Sequence, residues 1–134
     1  MSNRPSLRVL LVEDSSLLAA RLSELISNLP DVDLIATAET EADAISQIAN
    51  GLPHVLILDL HLRSGSGFGV LRSMARDSLR RPKVIVLTNF GLQEYRREVE
   101  ALGADVFLDK SRDYFRLPAL LSDFAKARRD ESAP

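Results

Sequence analysis

Two kinds of apolar pattern alternate along this chain. Short runs that are almost wholly aliphatic, Leu7–Val12, Val55–Leu58 and residues 83–87, each stop at polar residues, and each precedes a longer stretch whose apolar residues recur every three or four positions. A short continuous aliphatic run predicts a strand buried on both faces, as in a parallel sheet, whereas the three-to-four spacing predicts an amphipathic helix. After the first run, Leu18, Leu22, Leu25, Ile26 and Leu29 predict a helix that Asp14, Ser15 or Ser16 can cap and Pro30 stops. Residues 32–38 include Asp33 and read as a weaker edge strand, and residues 40–50 as a helix with Ile45, Ile48 and Ala49 inward. Gly51 and Pro53 supply its stop signals.

The second half repeats the pattern. The loop 60–67 carries Ser64-Gly65-Ser66-Gly67, and Phe68, Leu71, Met74 and Ala75 then fall at core spacing on a third helix. Tyr95, Val99 and Leu102 predict a fourth helix capped by Gly103, and residues 105–108 a short strand leading into Asp109-Lys110. Pro118 is tolerated only in a first turn, so the last helix begins near Leu117, with Leu120, Leu121, Phe124 and Ala125 inward. From Lys126 the residues are charged and small, which predicts fraying. Five strand-then-helix units with short links predict an α/β fold, a doubly wound parallel sheet with helices on both faces.

In such a sheet every strand has its carboxyl end at the same edge. In order, the strands end on Glu13-Asp14, a weak edge segment, Asp59, Thr88 and Lys110. Carboxylates gathered there would repel one another unless a divalent, oxygen-seeking cation shared them, and magnesium is the natural candidate. With a lysine ammonium and a hydroxyl added, the edge offers a nucleophile, a metal site and two groups able to bind the oxygens of a transferring phosphoryl group.

Composition narrows this picture. A chain of 134 residues with 46% hydrophobic residues suits one globular domain. A net charge of −2 gives no bulk electrostatic basis for binding nucleic acid or an anionic membrane. No cysteine is present, which excludes disulfides and thiolate metal sites. Met1 to Arg8 lacks the apolar core of a signal peptide, and no apolar run approaches the ~20 residues that span a bilayer, so a cytoplasmic location is expected. Ser64-Gly65-Ser66-Gly67-Phe68-Gly69 lacks the Gly-Lys-Ser/Thr ending of a P-loop, and His54 and His61 have no zinc-site spacing. The acid pair after the first strand argues against flavin. Taken singly, Glu13-Asp14 reads as a helix cap, Asp59 as the start of a turn, Thr88 as a strand end and Lys110 as a surface residue; their occurrence at successive strand ends is what points to chemistry.

These residues resemble the receiver domain of bacterial two-component response regulators, over about residues 7–128, with 1–6 as an extension and 129–134 as a frayed tail. The resemblance implies a flavodoxin-like sheet of order 2-1-3-4-5 flanked by five helices. It implies Asp59 as phosphoacceptor and Mg2+ held by Glu13, Asp14, Asp59 and the backbone carbonyl of His61. It further implies Thr88 as the hydroxyl that senses phosphorylation, Lys110 as the phosphate-binding lysine and Phe107 as an aromatic switch, with Gly67 at the family's glycine after the phosphoacceptor loop. The implied donor is a histidine kinase or histidine phosphotransfer protein; readout is by a protein partner or a phosphorylation-dependent dimer. Direct nucleic-acid binding, membrane engagement and turnover of a separate substrate are not expected. Ser111 stands where a proline is usual, Arg63 where one is common, and Asn89 with Phe90 where smaller residues are preferred. The alternative is a phosphorylation-independent interaction module with a decayed site. The last helix leaves too few residues for an output domain, so the expectation is a single-domain regulator or the receiver piece of a longer protein.

Overall fold

The computed structural model describes residues 6–74, 81–89 and 93–132. Strands β1 (Leu7–Val12), β2 (Val32–Ala38), β3 (Val55–Leu58), β4 (Lys83–Thr88) and β5 (Val106–Asp109) alternate with helices α1 (Ser16–Ser27), α2 (Glu41–Gly51), α3 (Gly67–Ser73), α4 (Gln93–Ala101) and α5 (Leu117–Ser132). All neighbouring strands are parallel, in the order β2-β1-β3-β4-β5, as the receiver resemblance implied.

Side chains of a strand alternate between faces, so each aliphatic run feeds two cores. Val9, Leu11, Val55, Ile57, Ile85, Leu87 and Leu108 pack with Leu22 and Ile26 of α1 and Leu117, Leu121 and Ala125 of α5. Leu10, Val12, Leu56, Leu58, Val84 and Val86 pack with Ala44 of α2, Val70 and Leu71 of α3 and Val99 of α4. Two helices thus cover one face and three the other. The central strands have no polar face because neither face meets water, and the weaker β2, with Asp33 exposed, is one edge of the sheet, with β5 at the other.

Several helical details differ from the sequence pattern. On α2 the buried residue is Ala44, while Ala49 is exposed: it lies one residue past Ile48, a turn of about 100° away from the packed stripe. The left-handed residue that ends α2 is Leu52 (φ 47°) and not Gly51, which sits inside the last turn. Leu29 and Leu102 fall beyond the ends of α1 and α4 and still pack against the cores. Helix α3 stops at Ser73, leaving Met74 extended but buried; Ala75 lies outside the described residues, as does Phe90. The segment after Lys126, predicted to fray, continues α5 to Ser132, where Arg129 Nη1 meets Asp31 Oδ2 at 2.8 Å and ties the helix to the turn before β2.

Candidate functional site

The register brings Val12 beside Leu58 and Leu58 beside Val86, and β4 and β5 continue to the pair Thr88 and Asp109. The residues that follow therefore converge at the carboxyl edge. Glu13 donates its amide to Ala38 O (2.8 Å), and Asp59 donates its own to Val12 O (3.0 Å), so both carboxylates project from backbone that the sheet still holds. Glu13 is 2% exposed and Asp59 5%; Asp14 is more open to solvent. Among the described residues these three acids bring carboxylate oxygens within 4.8 Å of one another. Of the three cap candidates, Ser15 caps α1 by accepting from Leu18 N, while its amide donates to Glu13 Oε2 (3.0 Å).

Lys110 crosses from β5 to this cluster. Its ammonium lies 2.6 Å from Glu13 Oε1 and 2.6 Å from Asp59 Oδ2, and its amide donates to Thr88 O (2.9 Å). One cation faces three acids, so the site carries negative charge that a hard divalent ion would offset. Burial pushes the Glu13 carboxyl above its ordinary value, against the hydrogen bonds from Lys110 and Ser15 that pull it down. Burial acts to lower the Lys110 ammonium, but the hydrogen bonds to Asp59 and Glu13 outweigh it and hold the lysine above its usual range. The lysine is thus a fixed cation at neutral pH.

No peptide bond among the described residues is cis, and a carboxylate shapes the loop after Lys110. Asp109 Oδ1 accepts the Ser111 amide (2.8 Å), the Ser111 hydroxyl (2.6 Å) and the Arg112 amide (3.2 Å), which lowers its own proton affinity. Asp113 Oδ2 accepts the Asp109 amide (3.0 Å), so the turn is bonded at both ends. Ser111 therefore serves the loop as a donor, a role proline could not fill.

The loop after β3 is shaped around Asp59. His61 donates its amide to Asp59 Oδ1 (3.3 Å). Gly67 donates to Leu60 O (3.0 Å), and a Cβ there would collide with the Asp59 carbonyl oxygen and lie 2.9 Å from Leu60 Cα, so glycine is required by close backbone approach. Sequence reasoning missed Glu41: its amide donates to Ser64 O (3.0 Å) and its Oε1 accepts the Ser66 amide (3.0 Å), latching the loop onto α2. No local signal could reveal a partner 25 residues away. Arg63 makes an exposed ion pair with Glu39 (3.1 Å), of little energetic weight.

Thr88 is fully buried beside Asp109 of β5, and Phe107 is partly buried. The Arg96 guanidinium sits 5.7 Å from the Phe107 ring centroid and also pairs with Glu100 (3.3 Å). Tyr95, on α4, makes its ring contacts with Phe68 (5.6 Å between centroids) and His61 (6.3 Å).

A wound parallel sheet that gathers acids and a lysine at its carboxyl edge makes this a doubly wound α/β protein with its charged groups where ligands of such sheets bind. The chain belongs to the response regulator receiver domain family, whose model matches residues 9–122. It is 35% identical over 98 residues to a protein-glutamate methylesterase/protein-glutamine glutaminase of Myxococcus xanthus, a match covering 73% of this chain and 28% of that protein. The chain thus spans under a third of that relative's length. A signal receiver domain from Vibrio parahaemolyticus is 32% identical, with a TM-score of 0.82 over 94% of this chain and 95% of that one. The response regulator domain of Thermotoga maritima CheB, at 19% identity, shares the fold with a TM-score of 0.78 over 91% and 95% of the two chains. Among the described residues no helix is long and apolar enough to cross a membrane.

Proposed function

We propose that this chain is a cytoplasmic phosphorelay switch that accepts a phosphoryl group on Asp59 from a histidine kinase or a histidine phosphotransfer protein. The observation that carries the reading is the single ammonium of Lys110 bonded to both Glu13 and Asp59 at the carboxyl edge of the sheet. The donor set consists of carboxylate oxygens, which suits Mg2+. Glu13, Asp14, Asp59 and the backbone carbonyl of His61 would hold the ion, which would neutralise charge on the phosphoryl oxygens. Asp59 supplies the attacking oxygen. As its O–P bond forms, the N–P bond to the donor histidine breaks, and the imidazole nitrogen keeps the electron pair and takes up a proton. Lys110 then exchanges a carboxylate partner for a phosphoryl oxygen, and the Thr88 hydroxyl donates to another. Drawing Thr88 inward makes room for Phe107 to turn in from the ring contact with Arg96, which changes the face formed by α4, β5 and α5 for a protein partner. Nothing in this sequence of events consumes a separate substrate.

Incubation with acetyl phosphate and magnesium, followed by peptide mass spectrometry, tests the proposal. The phosphoryl mass is expected on Asp59 and absent from Asp59→Asn. No modification of the wild type would favour a phosphorylation-independent interaction module instead.

A further inference from the structure

At the amino edge of the sheet, remote from Asp59, lies a cavity of about 420 Å3 between the starts of β1, β3 and β4 and the last turns of α5. That volume falls within the ~300–1,000 Å3 of small-molecule sites. Leu7, Pro53, Val55 and Phe124 give it apolar walls, while Arg8, Arg81, Lys83 and Arg128 bring four cations to it. No acid is among its described lining residues.

Two of these cations are held by main-chain carbonyls, and no ion pair among the described residues joins any of the four to an acid. Arg8 Nη2 donates to Leu52 O (2.7 Å) and Arg81 Nη2 to Leu102 O (2.6 Å), both main-chain carbonyls. Arg128 Nε is buried with no hydrogen-bond partner among the described residues, an arrangement that costs stability unless a group beyond those residues pairs with it. His54 accepts the Arg8 amide at Nδ1 (2.8 Å), and burial, with Arg128 and Arg8 nearby, lowers its pKa to about 4, so it adds no charge. Leu52, which also lines the cavity, holds the left-handed backbone that glycine usually occupies. Strain of this kind persists where the surroundings impose it, often at binding sites.

We propose that this cavity binds a small organic phosphate of nucleotide size, its ring against Pro53 and Phe124 and its phosphate among Arg8, Lys83 and Arg128. Guanidinium groups favour phosphate because their planar fork donates two parallel hydrogen bonds. The flat side chain of Phe124 and the ring of Pro53 favour a ring-bearing body over a bare anion. The site shares no residue with the acid cluster, so it stands or falls apart from the phosphorelay reading.

Adenosine 5′-monophosphate, adenosine and inorganic phosphate, titrated into the full chain and followed by amide nuclear magnetic resonance, test it. Adenosine 5′-monophosphate is expected to give saturable shifts at Leu7, Val55, Phe124 and Ala127. Adenosine and inorganic phosphate are each expected to bind at least about tenfold more weakly, and Lys83→Gln and Arg128→Gln each to weaken the nucleotide by about tenfold. Lys83 is exposed, so its variant keeps the fold if Arg128→Gln does not. Phosphorylation at Asp59 is expected to be unchanged in Lys83→Gln. Absence of saturable shifts at millimolar nucleotide, equal binding of adenosine or of inorganic phosphate, or undiminished binding by Lys83→Gln would overturn the proposal.

Discussion

Lys110→Met keeps a long apolar side chain but removes the ammonium bonded to Glu13 and Asp59. Two nearly buried carboxylates are then left facing each other and Asp14. Removing one partner of a buried ion pair costs about 3–5 kcal/mol. An independent bound comes from protonation, because Glu13 can escape its penalty by binding a proton. At pH 7 that costs a carboxyl of ordinary pKa 4.5 about 3.4 kcal/mol. The expected loss is therefore about 3 kcal/mol at pH 7 in the presence of a chelator. The sign of the pH dependence follows from Glu13, whose pKa is already raised in the folded protein and rises further once the Lys110 hydrogen bond is gone. The folded variant then binds more protons than its unfolded chain, so its stability increases as pH falls from 7 toward 4.5. By pH 5 the protonation bound drops to about 0.7 kcal/mol, and the gap to wild type should shrink to under about 1 kcal/mol. Urea denaturation at both pH values measures this, and added magnesium should restore part of the loss at pH 7. A loss below about 0.5 kcal/mol at pH 7, or the same loss at pH 5, would mean that Lys110 does not offset buried charge.

Two further substitutions probe backbone geometry near each edge of the sheet. Gly67→Ala places a methyl group against the main chain of Asp59 and Leu60, which has no flexible end to move, so a loss of about 1–3 kcal/mol is expected, with slower phosphorylation of Asp59; an unchanged denaturation midpoint would show that the loop relaxes freely. Leu52→Gly relieves left-handed strain of about 1–2 kcal/mol at a half-exposed position. After the entropy cost of glycine, a gain of about 0.5–1 kcal/mol in urea denaturation is expected, and a loss would show that the Leu52 side chain contributes more than its backbone costs.

The order of elements was legible in the sequence because hydrophobic period is local: continuous runs cannot be half-exposed strands, and three-to-four spacing cannot be a strand. The acid pair, Asp59, Thr88 and Lys110 could be placed together for the same reason, since a parallel sheet sends every carboxyl end to one edge. Local pattern fails where the deciding contact is distant in sequence. Ala44 rather than Ala49 faces the core because the phase of α2 is set by the sheet beneath it. The tail of α5, charged enough to read as frayed, is held by Asp31 from the other end of the chain. The latch of Glu41 on Ser66, the charge-bearing cavity at the amino edge and the two-carboxylate grip on Lys110 exist only once the chain is folded. What the sequence determined was which residues form strands, which form helices and which edge carries the acids. What tertiary structure decided was which charges meet, because the strength of a charge pair depends on distance and burial, and neither is a property of neighbouring residues.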